Sequence, residues 1–223
     1  MPMDTLYEGG IHVPLIISGP AVANPNRTND TPVNAVDLFA TILEMAGSSV
    51  AAAVPTNVTI DSKSLMGQLT GTNTVFRLAY AEEFGTNVAA SAGGRALRDD
   101  RYKLIRFNDG RDEFFDLQTD PTELTNLNSS LTAMQKQYRD RLQFWLYRYT
   151  TNSGVTIAAP AWSAGQFSCA VTNAASYALW RCDDLTAQFW SPVTNAVATT
   201  NGSIVTLTDS TPLTDRAFYN VVK

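Results

Sequence analysis

The order of apolar and polar positions divides the chain into periodic segments separated by turn residues. The first is Val13 to Ile17, a short β-branched apolar run without a polar member. Such a run predicts a strand covered on both faces. Gly9-Gly10 before it permits a tight turn, and Gly19-Pro20 after it stops it. Residues 21–33, rich in Asn, Pro and Thr, read as a surface loop. From Asn34 to Gly47 the period becomes helical, with Val36, Phe39, Ala40 and Leu43 on one face predicted to pack on the core. Asn34 is the expected N-cap, Asp37 suits the helix dipole, and Gly47 is the expected stop.

Residues 48–75 are irregular. Then Arg77 to Phe84 alternates as a strand, and Gly93-Gly94 marks a turn. Arg95 to Phe107 reads as two strands joined at Asp99-Asp100, and Asn108-Asp109-Gly110 signals a hairpin returning through Phe114 to Leu117. Strands in succession with tight turns predict a small antiparallel sheet. A helix is expected from Ser129 or Ser130, with Leu131, Met134, Tyr138, Leu142 and Trp145 as its apolar stripe. Lys136, Arg139, Arg141 and Arg148 are expected on a solvated face. The composition changes after Thr150. Phe167–Thr172, Ser176–Arg181, Phe189–Val193, Ile204–Thr208 and Ala217–Val222 are short strand candidates. The division is therefore 1–150, a linker at 151–160, and a small β-sandwich-like module at 161–223.

Composition narrows the function class. Apolar residues make up 44% and charged residues 17%, enough for a sizeable core. A net charge of -5 argues against nucleic acid as the main partner. No apolar run is long enough for a transmembrane segment. The first residues lack the pattern of a secretion signal. Cys169 and Cys182 are the only cysteines. They read either as a disulfide between adjacent strands or as two unpaired core residues. Trp180, Trp190 and Tyr177 read either as core or as a sugar platform.

Several segments resemble the sulfatases, in the order that family shows. They are Thr5-Leu-Tyr-Glu-Gly-Gly-Ile-x-Val-Pro-Leu-Ile-Ile, Val36-Asp-Leu-Phe-x-Thr-Ile-Leu, Ile60-Asp-Ser-Lys-Ser-Leu65 (with Ser62 where the family has Gly) and Ala81-Glu-Glu83. Arg98-x-x-Arg-Tyr-Lys-Leu-Ile105 and Phe115-Asp-Leu-x-x-Asp-Pro-x-Glu-x-x-Asn-Leu127 complete the set. The resemblance covers residues 3 to about 147. It implies an α/β fold class: the last strand and helix of a large sheet, then an antiparallel sheet with a long helix, followed by the small all-β module. It also implies the C-terminal part of a longer sulfuric ester hydrolase, secreted or periplasmic, acting on a sulfated carbohydrate. Two alternatives are a glycan- or protein-binding remnant that stands alone and a phosphodiesterase-like member of the same superfamily.

The sulfatase reaction, by this resemblance, needs calcium and a formylglycine nucleophile, with cationic side chains stabilising the charge on the transferring sulfuryl group. The nucleophile motif, Cys-x-Pro-x-Arg or Ser-x-Pro-x-Arg, matches neither Cys169, followed by Ala-Val-Thr-Asn, nor Cys182, followed by Asp-Asp-Leu-Thr. The family's Lys before the Thr of Thr-x-Tyr-Glu-Gly would fall at Asp4, Met3 or Pro2, none of them cationic. Asp99-Asp100 and Asp183-Asp184 sit in turn signals and are poor calcium ligands on their own. His12, where the family often has Arg, reads as a structural or exposed residue. No catalytic, cofactor-binding or metal residue is therefore assigned in this chain. Calcium, formylglycine and the missing N-terminal part of the catalytic domain are expected in the full-length enzyme.

Overall fold

The computed structural model describes residues 5–72, 77–83, 92–150, 157–172, 177–185, 188–213 and 217–222. The chain packs as two compact units, residues 1–126 and 127–223.

The first unit opens with a single helical turn, α1 (Glu8–Ile11). The strand expected at Val13 to Ile17 is not formed; these residues form no regular element, with Val13 76% and Ile16 88% exposed. A strand needs neighbours to receive its backbone groups. Among the described residues no backbone group from Pro14 to Ser18 finds one.

Helix α2 (Asp37–Met45) corrects the expected packing face. Its buried residues are Asp37, Ala40 and Thr41, whereas Val36 and Phe39 are exposed and Leu43 is half-buried. Polar anchoring turns the helix. The Thr41 hydroxyl accepts from the amide of Leu65 at 2.9 Å, and the Asp37 carboxylate accepts from that of Lys63 at 2.9 Å. Nor is Asn34 a helix cap. Its side chain bridges to the following strand, donating to the Leu78 carbonyl and accepting from the Tyr80 amide, both at 3.0 Å. Gly47 does end the helix, at φ +76°, a conformation that suits a residue without Cβ. Two short helices, α3 (Val50–Ala53) and α4 (Met66–Thr70), lie in the region read as irregular.

The antiparallel sheet forms as expected. Strands β1 (Ala79–Glu83), β2 (Gly94–Arg98), β3 (Tyr102–Phe107) and β4 (Asp112–Asp116) lie in the order β1-β2-β3-β4. Phe84, the expected end of β1, is outside the described residues. Asp99 closes the β2–β3 turn, its Oδ1 accepting from the amides of Arg101 (2.8 Å) and Tyr102 (2.6 Å). Gly110, at φ +88°, makes the β3–β4 turn. Gly94 is already paired in β2; a Cβ there would lie 2.2 Å from the Arg106 carbonyl oxygen. Register places Ala96 opposite Ile105, and Lys103 opposite Phe115. That face is sealed by Leu6, Phe107 and Leu117. The other face buries Leu97, Leu104 and Phe114, with Tyr102 stacked on Phe114 at 5.2 Å.

The second unit begins with α5 (Ala133–Thr150). Its start is later than expected because Thr132 makes the stronger cap. Its hydroxyl accepts from the Gln135 amide (3.2 Å), and the Gln135 side chain accepts from the Thr132 amide (2.9 Å). Of the expected stripe, Leu142 is buried, Met134 is exposed and Leu131, Tyr138 and Trp145 are half-buried. Arg141 does not join a solvated face. It is buried, its guanidinium 4.8 Å from the Tyr138 ring and 4.7 Å from the Phe189 ring.

Among the described residues seven strands follow: β5 (Ile157–Ser163), β6 (Gln166–Thr172), β7 (Ala178–Cys182), β8 (Ser191–Pro192), β9 (Val197–Asn201), β10 (Ile204–Asp209) and β11 (Phe218–Val222). They form a β5-β6-β10-β9 sheet and a β11-β7-β8 sheet. β5 begins inside the stretch read as a linker, and β9 was not foreseen. Packing divides the chain after Asn126, whereas the composition changes near residue 151, because α5 shares a core with these strands. Phe144 of α5 packs with Trp180, Cys182, Trp190 and Val222. Trp180 and Trp190 are thus core residues, and the sugar-platform reading fails for them.

The two cysteines are free and buried. Their strands are not adjacent: Cys169 of β6 packs with Val171, Leu179 and Leu207, while Cys182 of β7 belongs to the tryptophan cluster. Burial raises the pKa of both thiols. A colorimetric thiol reagent at pH 7.5 is therefore expected to react slowly with the native chain and to count two thiols in denaturant. Fewer than two there would restore the disulfide reading.

Candidate functional site

Four charged residues of the signature segments, Glu8, Arg98, Lys103 and Glu123, meet at one buried node. Lys103 leaves β3 on the face sealed by Leu6, and its side chain is 0% exposed. Its Nζ lies 3.0 Å from Glu8 Oε1 and 2.8 Å from Glu123 Oε1. Arg98, at the end of β2, reaches Glu8 Oε2 at 2.5 Å. The amide of Glu8 donates to Glu123 Oε2 at 2.5 Å. Two cations thus balance two carboxylates away from water, an arrangement tolerable only when each charge is paired. Three distant parts of the chain supply them: the turn at α1, strands β2–β3, and the loop after β4.

Local backbone chemistry presents each partner. Glu123 sits at φ +57°, a left-handed conformation unusual for a residue with a Cβ. The preceding turn is held by Asp120, whose carboxylate accepts from the amides of Thr125 (2.8 Å) and Leu124 (3.1 Å). Those bonds hold its pKa below the usual carboxylate range. Asp116 anchors the start of the loop. Arg101 grips it through Nε at 3.0 Å and Nη2 at 2.7 Å, and this pairing lowers the Asp116 pKa. On the other side Tyr7 donates to Glu113 at 2.7 Å. Desolvation first, and then the Glu113 carboxylate, pushes the phenol up to about 12.

A second node fixes α2. Asp37, buried, pairs with Arg77 at 2.6 Å and also accepts from the Asn34 amide at 3.0 Å. Arg77 in turn donates to the Lys63 carbonyl at 3.0 Å. The Ser62 hydroxyl accepts from the Ala40 amide at 2.9 Å, which gives the residue standing in place of Gly a role of its own.

Both nodes anchor the fold and present no reacting group. His12 is an exposed side chain 3.2 Å from Glu8, as its reading as an exposed residue required. Asp99 is buried and committed to its turn, while Asp100 is exposed. Asp183 and Asp184 lie in the bend after β7. Among the described residues no group of three or more His, Cys, Asp or Glu side chains is placed to hold a metal ion. Pro2, Met3 and Asp4, the positions considered for the family's lysine, are outside the described residues. An open groove of about 460 Å³ between α2 and α4 contains one ionisable side chain, Glu44, too little for acid–base chemistry. The ionic node escaped sequence reasoning. Its one local signal is a lysine inside the apolar run Tyr102-Lys-Leu-Ile105.

Two outcomes test the node. Lys103→Met leaves two buried carboxylates with Arg98 alone and is expected to lower stability by about 3–5 kcal/mol in urea denaturation. Adding Glu8→Gln is expected to recover part of that loss. The Asp116 pKa is lower folded than unfolded, so its contribution is complete above the ordinary carboxylate value and is lost as acid protonates the folded form. Thermal melts between about pH 4 and pH 2 are expected to fall less steeply for Asp116→Asn than for wild type.

Similarity to known proteins agrees with the segments that form these nodes. The profile of the family described as N-sulphoglucosamine sulphohydrolase, C-terminal, matches residues 3–148. Arylsulfatase K of Xenopus laevis is 31% identical over 151 residues, which is 62% of this chain and 26% of that protein. A sulfatase of Formosa agariphila is 30% identical over 167 residues, 68% of this chain and 30% of that protein. A solved structure in complex with its substrate D-glucosamine-2-N,6-O-disulfate is 27% identical, with a TM-score of 0.42, covering 52% of this chain and 24% of that one. The chain spans about a quarter of the length of Arylsulfatase K. With its signature segments in order and joined through buried ion pairs, the chain belongs to the N-sulphoglucosamine sulphohydrolase C-terminal family of sulfatases.

Proposed function

We propose that this chain is the C-terminal scaffold of a sulfuric ester hydrolase whose nucleophile and metal ligands come from the N-terminal part of the catalytic domain. The observation that carries this reading is where the family's charged signature residues go. Glu8, Arg98, Lys103 and Glu123 are joined to one another below the surface, and the signature residue Asp37 pairs with Arg77, which lies outside those segments. Side chains neutralised in this way hold segments together and are not free to serve as acid, base or nucleophile.

On this proposal the formylglycine nucleophile and the calcium ion belong to that N-terminal part, where attack at sulfur takes place. The substrate is a sulfate ester on a carbohydrate. The matching family's description names an N-sulfated amino sugar, a sulfamate, which supports a sulfated carbohydrate and not the ester linkage itself. The enzyme works outside the cytoplasm, secreted or periplasmic; no described helix of this chain is long and apolar enough to cross a membrane.

The assay is sulfate release from 4-nitrophenyl sulfate by the purified chain, with and without calcium. No turnover above the buffer rate is expected in either condition. Calcium-dependent release that scales with protein concentration would overturn the proposal.

A further inference from the structure

Trp162 on β5 lies beyond residues 3–148, the part that matches the sulfatase family, and it is 59% exposed. Of the other tryptophans, Trp145 is half-buried and Trp180 and Trp190 are buried. A scattered aliphatic side chain at the surface needs no special reason. An indole is the largest apolar side chain, and leaving it in water forgoes the most burial.

The exposure is built into the hairpin. β5 and β6 are closed by Ser163 opposite Gln166, with Ala164 at φ +50° and Gly165 at φ +75° between them. Two left-handed residues make the tight turn whose twist matches that of the strands. Register then sets Trp162 opposite Phe167, so the two rings share a face of the sheet. Phe167 is committed elsewhere. It stacks on Tyr219 at 3.8 Å with 4° between the ring planes. Tyr219 donates to Asp209 at 3.0 Å, and Asp209 also pairs with Arg181 at 2.8 Å. Phe167 is therefore not free to close over the indole. What remains is a rigidly held indole beside the exposed Ser163 and Gln166.

Charge decides the class of ligand. Residues 149–180 contain no Asp, Glu, Lys or Arg, in a chain of which 17% is charged. Recognition of a sulfate group calls on Arg or Lys. Arg181 of β7 has its Nη1 engaged by Asp209 and by the Thr211 carbonyl at 2.5 Å. A stable protein partner needs a far larger surface than one ring. A pyranose ring has an apolar face of C–H bonds and a rim of hydroxyls. An indole flanked by a hydroxyl and an amide matches both.

We propose that the β5–β6 hairpin binds a neutral carbohydrate chain, with one sugar ring stacked on Trp162 and its hydroxyls at Ser163 and Gln166. This site is separate from the proposed hydrolase and stands or falls without it.

The test is native electrophoresis of the full chain in gels containing galactomannan, laminarin or, as the sulfated comparison, ι-carrageenan. At least one of the two neutral glycans is expected to retard the chain, and carrageenan is not. Trp162→Ala is expected to keep the melting temperature and to weaken retardation by at least about 10-fold, whereas Trp162→Phe keeps part of it. N-bromosuccinimide is expected to oxidise Trp162 first in the native chain, and the retarding glycan to protect it. No retardation by either neutral glycan, or equal retardation of Trp162→Ala, overturns the proposal. So does stronger retention by carrageenan, which would make the ligand anionic. A dimeric mass with Trp162 resistant to oxidation in the absence of glycan also overturns it, by making a second copy the occupant.

Discussion

The first unit depends on the desolvation of Lys103. An ammonium ion taken wholly out of water is penalised by several kcal/mol unless anions replace its hydration. Two carboxylates do so here, and each lies in a segment that local propensity would not hold in place. Glu8 belongs to a helix of a single turn, and Glu123 to a loop residue with left-handed backbone geometry. Neither placement is favourable alone. The lysine makes both necessary, so the turn at α1, the β2–β3 hairpin and the loop after β4 become one cooperative element. Arg98 then balances the charge.

The same economy appears at α2, where Asp37, Thr41 and Arg77 hold a helix whose hydrophobic side faces outward. The second unit is built differently. Its core joins an aliphatic cluster around Val171 and Leu207 to an aromatic one, with Phe144 stacked on Trp190 at 4.6 Å and Phe167 on Tyr219 at 3.8 Å. The burial that drives such packing is non-directional, although stacked rings prefer particular geometries. It gathers α5 and two sheets without one indispensable pair. Charge placement weighs more in the first unit than in the second, although the second also buries Asp209 against Arg181 at 2.8 Å.

That contrast explains what could be read from the residues. The β1–β4 meander was legible because alternation and turn chemistry act between near neighbours: Asp99 closes one turn and Gly110 another. The stop at Gly47 was legible for the same reason. The face of α2 was not, since apolar periodicity assumes that the hydrophobic side turns inward, and buried polar anchors reversed it. Arg141 was misread because a guanidinium can lie under aromatic rings, which no charge pattern announces. β9 lacked a signal because all five of its residues are exposed. The cysteines required knowing that consecutive strands enter different sheets. Of the ionic node the segments were visible, but their meeting was not. Lys103 and Glu8 stand 95 residues apart, beyond the reach of any local period.

The loop between α3 and α4 illustrates a further property of this fold. Asp37, Thr41 and Arg77 bind that loop through the amides of Lys63 and Leu65 and the carbonyl of Lys63. The main chain is the same whatever side chain is attached. At those bonds the contacts therefore ask little of residue identity and much of loop path. Sequence can drift here while the architecture stays put, and an exchange such as Ser for Gly at position 62 can add a hydrogen bond instead of breaking one.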